Sequence, residues 1–136
     1  MADQITSADW SPKLDATPGD GSGLGQVVQG LEDVEQCISI ILSTPKGSDI
    51  LRPTFGCDLW KYIDRPITQS LPAIVREATE ALTLWEPRID LIRVLASVSS
   101  DGSGLTVTAA WKLKSGGAGQ TTTHLIAQAG RVPLAV

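Results

Sequence analysis

The chain has 136 residues, 42% of them hydrophobic and 19% charged, with a formal net charge of −4. This length and composition suit one globular domain with a real core, and the negative balance argues against binding nucleic acid through its phosphates. No apolar run approaches the roughly 20 residues that cross a bilayer, so neither nucleic acid nor a membrane is expected as a partner. The first residues, Met1 to Ser7, carry no basic flank and no apolar core. No secretory signal is therefore expected, and the protein should start life in the cytosol.

Residues 1–25 read as a flexible N-terminal arm, with Trp10, Pro12 and Pro18 set among glycines. Residues 26–136 read as the folded domain. Acids dominate the start of the chain (Asp3, Asp9, Asp15, Asp20, Glu32, Asp33 and Glu35 against Lys13). After Asp101 there are only bases: Lys112, Lys114 and Arg131. Such polarity can steer one surface toward a partner. A first helix is predicted over residues 30–43, where Leu31, Val34, Ile38 and Ile41 form an apolar stripe. Glu32, Asp33 and Glu35 suit its first turns, where the helix dipole favours negative charge. A loop follows, and the apolar residues of Asp49-Ile50-Leu51-Arg52-Pro53-Thr54-Phe55-Gly56 are expected to tuck under the next element. Residues 57–63 read as a short helix or turn. Cys37 and Cys57 are expected as thiols, and with His124 as the sole histidine a zinc site lacks ligands.

The second helix has Leu71, Ile74, Val75, Ala78, Leu82 and Trp85 on one face. Ser70 is predicted as its N-cap and Pro72 as part of its first turn. Pro87 must stop it, since proline pushes the preceding Glu86 out of the helical region. Glu86 and Arg88 thus flank a rigid residue at the foot of Trp85, where they can pair with each other or present a charged clamp outward. Residues 89–98 are apolar on both faces and read as a strand covered on both sides. A turn at 99–104 leads into an alternating strand over 105–113, and a glycine-rich turn leads into a third strand over 121–128. The expected fold is α+β: two long helices plus a short one packed on one face of a mainly antiparallel three-stranded C-terminal sheet. Its last strand leaves an edge open to pairing.

No catalytic constellation emerges. His124 lies mid-strand and reads as a surface or edge-strand histidine, and the glycine clusters lack the strand–glycine–helix context of phosphate loops. A glycosidase needs two carboxylates across a cleft, one with a raised pKa. Glu86 has an apolar neighbour in Trp85, but Arg88 pulls a carboxyl pKa the wrong way.

Taken in order, Thr44-Pro45-Lys46-Gly47, then Arg52-Pro53-Thr54-Phe55-Gly56-Cys57-Asp58-Leu59-Trp60, a long helix, and Trp85-Glu86-Pro87-Arg88-Ile89 resemble the contractile-tail phage baseplate wedge family. That family also supplies the sheath-initiator component of type VI secretion baseplates, and the likeness spans residues 27–113. The resemblance implies a structural, non-enzymatic protein of the virion tail baseplate, assembled in the host bacterial cytoplasm and needing no cofactor. It implies that Trp85, Glu86, Pro87 and Arg88 clamp the helical core bundle of other wedge subunits. It also implies that the sheet edge accepts extended arms of the tail sheath protein, with Lys112, Lys114, Thr121, Thr123, His124 and Leu125 as the contact residues. Tail tube or hub proteins are further implied partners. The alternatives are a peptidoglycan-degrading, lysozyme-like hydrolase, a label some family members carry, and a type VI secretion baseplate component.

Overall fold

The computed structural model describes residues 8–14, 26–99 and 104–128. The glycine-rich part of the N-terminal arm, the tip of the turn before residue 104 and the apolar C-terminal tail lie outside the described residues. The chain falls into two compact units, residues 1–37 and 38–136.

In the first unit a short strand β1, Trp10–Pro12, pairs antiparallel with β2, Val27–Gln29, in the register Trp10↔Gln29, Ser11↔Val28, Pro12↔Val27. Helix α1, Leu31–Ser43, starts directly after it, and its residues from Ile38 onward belong to the second unit. Two of its early side chains hold β1. Asp33 is almost fully buried and accepts a hydrogen bond from the Ser11 hydroxyl. The Gln36 amide donates to the Pro12 carbonyl at 2.9 Å and accepts from the Leu14 N–H at 2.9 Å. Asp33 therefore serves as a buried acceptor as well as a favourable charge for the helix dipole.

The second unit contains a one-turn 3-10 helix, Leu59–Tyr62, the long helix α2, Ile67–Trp85, and strands β3, Ile89–Val98, β4, Gly104–Leu113, and β5, Gln120–Gln128. The sheet is an antiparallel meander in the order β3-β4-β5. Val107, Ala109, Trp111, Ile74, Ala78 and Leu82 are all sealed from solvent. The Trp111 indole N–H donates to the Thr122 hydroxyl at 3.0 Å, giving this buried ring its polar partner.

The architecture is mixed α+β, but it departs from two long helices plus a short one. Among the described residues there are two α-helices, of 13 and 19 residues, and an extra two-stranded sheet. The third expected helix is only a four-residue 3-10 turn. It sits between the loop that docks at Cys57 and the stop imposed by Pro66, so there is no room for α-helical propagation. Helix α2 begins earlier than Ser70: Pro66 is the residue before it, and Pro72 lies inside it. The Ser70 hydroxyl instead reaches back to the Tyr62 and Pro66 carbonyls, at 3.0 and 3.1 Å.

Strand β3 is not covered on both sides. It is an edge strand whose Ile92 and Leu95 are exposed. The misleading apolar run has a local cause: a bulge at Ile92 breaks the register between Leu91 and Arg93. Ile89 and Leu91 face the core before it. After it the phase shifts by one, and Val94 and Ala96 lie opposite the buried Ala109 and Val107.

The tightest backbone approach is at Gly56. Its φ is +106°, and a Cβ there would sit 2.1 Å from the Thr44 carbonyl oxygen, the same oxygen that accepts the Cys57 N–H at 2.8 Å. Gly56→Ala should therefore cost at least about 2 kcal/mol of unfolding free energy. Gly47 also has a positive φ, +86°, but nothing lies within 4 Å of its would-be Cβ, so Gly47→Ala should cost only about 1 kcal/mol. Urea denaturation of the two variants checks the difference.

Candidate functional site

The end of α2 and the start of β3 make a stiff corner. Glu86 adopts φ −123° and ψ 78°, the extended geometry that Pro87 imposes, while its N–H still closes the helix on the Leu82 carbonyl at 3.0 Å. The Glu86 side chain turns inward and is 3% exposed, whereas that of Arg88 keeps 29% of its surface in solvent. The two form a forked pair: Arg88 Nε donates to Glu86 Oε1 at 2.7 Å and Nη2 to Oε2 at 2.7 Å. The Arg88 carbonyl accepts the Lys114 N–H at 3.0 Å, tying the corner to the end of β4.

Trp85 joins this corner to the preceding loop. Its indole N–H donates to the Thr54 carbonyl at 3.2 Å. The Phe55 ring meets it edge-on, with centroids 5.2 Å apart, and the Arg52 guanidinium lies 4.4 Å from the Phe55 centroid. The segments around residues 52–58 and 85–89, distant in sequence, therefore build one surface.

A second cluster supports that loop. Asp58 accepts the Lys46 N–H at 3.0 Å and the Lys61 ammonium at 2.6 Å, and these partners hold its carboxyl below the usual range despite burial pushing it up. Lys46 also pairs with Glu77 at 2.6 Å, a hydrogen bond that raises the lysine pKa. Burial pushes the Cys57 thiol up to about 12, so it is an inert core group. Among the described residues no group of His, Cys, Asp and Glu could hold a metal ion.

The strand residues divide between the two faces of the sheet. Thr121, Thr123 and Leu125 are exposed, and with Lys112 they lie on the outer face of β4 and β5. Lys114 is exposed in the turn just beyond β4. His124 does not join them. It pairs in register with the fully buried Val107, on the core side, and burial lowers its pKa. The loop expectation also fails in part. Phe55 packs on Trp85, but Ile50 and Leu51 are each 91% exposed. Nothing in the hydropathy of the loop signals this; the Asp49/Arg52 spacing that sets up the turn does.

The profile of a family described as baseplate wedge protein gp25 matches residues 28–115. The chain belongs to this family. It is 40% identical over 85 residues to baseplate protein W of Escherichia phage P2, covering 62% of this chain and 73% of that protein. In three dimensions it is similar to a chain of the postcontracted pyocin R2 baseplate, with TM-score 0.57 and 30% identity over 67% of this chain and 92% of the other. It is also similar to a candidate tail lysozyme from Geobacter sulfurreducens, with TM-score 0.60 and 33% identity over 71% and 91% of the two chains. The matched span contains both motif segments and the corner they build.

Two outcomes follow from this geometry. Arg88→Ala leaves the Glu86 carboxylate buried without its fork and should cost about 3 kcal/mol in urea denaturation, whereas the double replacement Glu86→Leu with Arg88→Met should recover most of that loss. For His124, the folded state disfavours the proton relative to the unfolded chain. Its contribution is thus complete above the unfolded pKa near 6.5 and is lost as pH falls through the lower folded value. The melting temperature should drop between pH 7 and pH 5, above the range where Asp49 and Asp58 titrate, and the drop should shrink in His124→Gln.

Proposed function

We propose that this protein is a non-enzymatic wedge component of a contractile-tail baseplate, held to other wedge subunits through Trp85, Glu86, Pro87 and Arg88. The observation that carries this reading is the corner itself. A buried carboxylate fixes a partly exposed guanidinium, and a proline and a tryptophan fix the carboxylate. A group preorganised in this way loses little side-chain entropy when a partner docks on it. Membership of the baseplate wedge family and the likeness to a pyocin baseplate chain support the same role.

We further propose that the chain starts the sheath by accepting an extended sheath arm as an added strand on β5. Strand β5 is a sheet edge, and pairing of Gln120 to Leu125 with β4 is regular up to the irregularity near Leu105. Main-chain bonds along such an edge supply affinity, and side chains such as Lys112, Thr121, Thr123 and Leu125 supply selectivity. Lys114 can steer the arm toward the edge. A core-facing His124 acts there only through the strand it stabilises.

The hydrolase reading finds little support in the carboxylates. Glu86 is committed to Arg88, and Asp49 and Asp58 shift downward, the wrong direction for an acid catalyst.

The test is complementation of tail assembly in cells lacking the wild-type protein. Arg88→Lys keeps the charge but loses the fork, and should fold yet fail to enter baseplates. Of Thr122 and Thr123, one points its N–H away from β4; proline there should give baseplates that contain the protein but carry no sheath. Normal sheathed tails from both variants would refute the reading. The purified protein should leave a peptidoglycan suspension turbid.

A further inference from the structure

The loop between α1 and the 3-10 helix holds two aliphatic side chains out in water, and it does so by construction. The Asp49 carboxylate accepts the Leu51 N–H at 3.0 Å and the Arg52 Nε–H at 3.0 Å. The Arg52 N–H closes the turn on the Asp49 carbonyl at 3.2 Å, and the Phe55 N–H bonds the Arg52 carbonyl at 2.9 Å. The Arg52 guanidinium also stacks over the Phe55 ring. Ile50 and Leu51 sit at the tip of this turn, each 91% exposed. Single exposed apolar residues are ordinary on a protein surface. Two adjacent ones on a turn pinned by both side-chain and main-chain bonds are different, because the pinning keeps them from folding back to cover themselves.

We propose that the Ile50–Leu51 tip is a hydrophobic plug that seats in an uncharged, aliphatic-lined pocket on the same neighbouring baseplate subunit that the corner at Arg88 grips. This rests on the proposed wedge role and deepens it. The charges of Asp49 and Arg52 cancel at the base of the tip, so the plug carries no net charge and fits an apolar pocket with a polar rim. Two lysines of the same loop region are also paired, Lys46 with Glu77 and Lys61 with Asp58, which weakens any pull of the tip toward an anionic lipid surface. Two side chains bury far less than the roughly 1,200 Å² of a stable interface. The tip therefore works as part of a larger surface, and one is continuous with it: Arg52 stacks on Phe55, Phe55 on Trp85, and Trp85 adjoins the Glu86–Arg88 fork.

The test is thiol labelling of Leu51→Cys in the free protein and in purified baseplates, with a maleimide and with wild type as background, since Cys57 is buried and Cys37 half-buried. The new thiol should label at least tenfold more slowly in the baseplate, and a short thiol-to-amine crosslinker should join it to the subunit that Arg88→Lys fails to bind. Ile50→Asp with Leu51→Asp should melt at the wild-type temperature yet enter baseplates at least tenfold less, while Ile50→Val with Leu51→Met enters normally. Unchanged labelling in the baseplate, normal entry of the aspartate variant, or crosslinks to a second copy of this chain or to lipid would overturn the plug. The wedge role would survive any of these results provided that wild type is present in baseplates. Absence of wild type from purified baseplates would overturn both.

Discussion

The Glu86 carboxylate is the constraint from which the rest of this surface is organised. It is a charge in a nearly dry position, and isolation there would be costly by several kcal/mol. The fork from Arg88 compensates it only if helix end, proline and strand start keep their relative positions. The pair therefore contributes registry more than net stability. It fixes where α2 ends and where β3 begins, and the Lys114 N–H on the Arg88 carbonyl extends the same constraint to the far end of β4.

The second constraint is steric. Gly56 brings its loop into contact with the end of α1, where the Thr44 carbonyl receives the Cys57 N–H, and Asp58 gathers the Lys46 backbone and the Lys61 ammonium. Three short stretches of sequence thus meet through one glycine, one aspartate and one tryptophan. Gly56, Asp58, Trp85 and Glu86 hold the loop and corner in place, and the groups left facing solvent, such as Ile50, Leu51 and Trp60, are their neighbours.

Much of this was readable in the chain, and the failures have identifiable physics. The corner is legible because proline acts locally: it fixes its own φ and restricts Glu86 whatever the tertiary context. The alternation of β4 is legible for the same reason, since Leu105, Val107, Ala109 and Trp111 keep an unbroken period of two. Strand β3 misleads because a bulge changes the phase of its alternation, and two half-patterns added together look like a strand buried on both faces. The start of α2 misleads because Ser70 has the chemistry of a cap, while its hydroxyl is used one turn inside the helix on the Tyr62 and Pro66 carbonyls. The pairing of Trp10–Pro12 with Val27–Gln29 cannot be seen in a three-residue strand at all. Its support comes from Asp33 and Gln36, whose partners lie more than twenty residues away.

The exposed aliphatic tip shows why hydropathy alone cannot assign a site. Hydropathy places Ile50 and Leu51 inside, and in most loops burial would follow from flexibility: the segment would move until its apolar atoms were covered. Here Asp49 satisfies the polar groups of the turn locally, which removes the backbone's reason to seek partners elsewhere and freezes the geometry with the side chains outward. An aspartate three residues before an arginine therefore outweighs two aliphatic residues between them. The same logic recurs around the loop and the corner. Lys46, Arg52, Lys61 and Arg88 each spend their charge on a neighbouring acid, so the surface they frame is electrostatically quiet and stiff. A surface of that kind discriminates by shape and apolar fit, with little long-range attraction, and suits a contact made once, in a fixed geometry, within a permanent assembly.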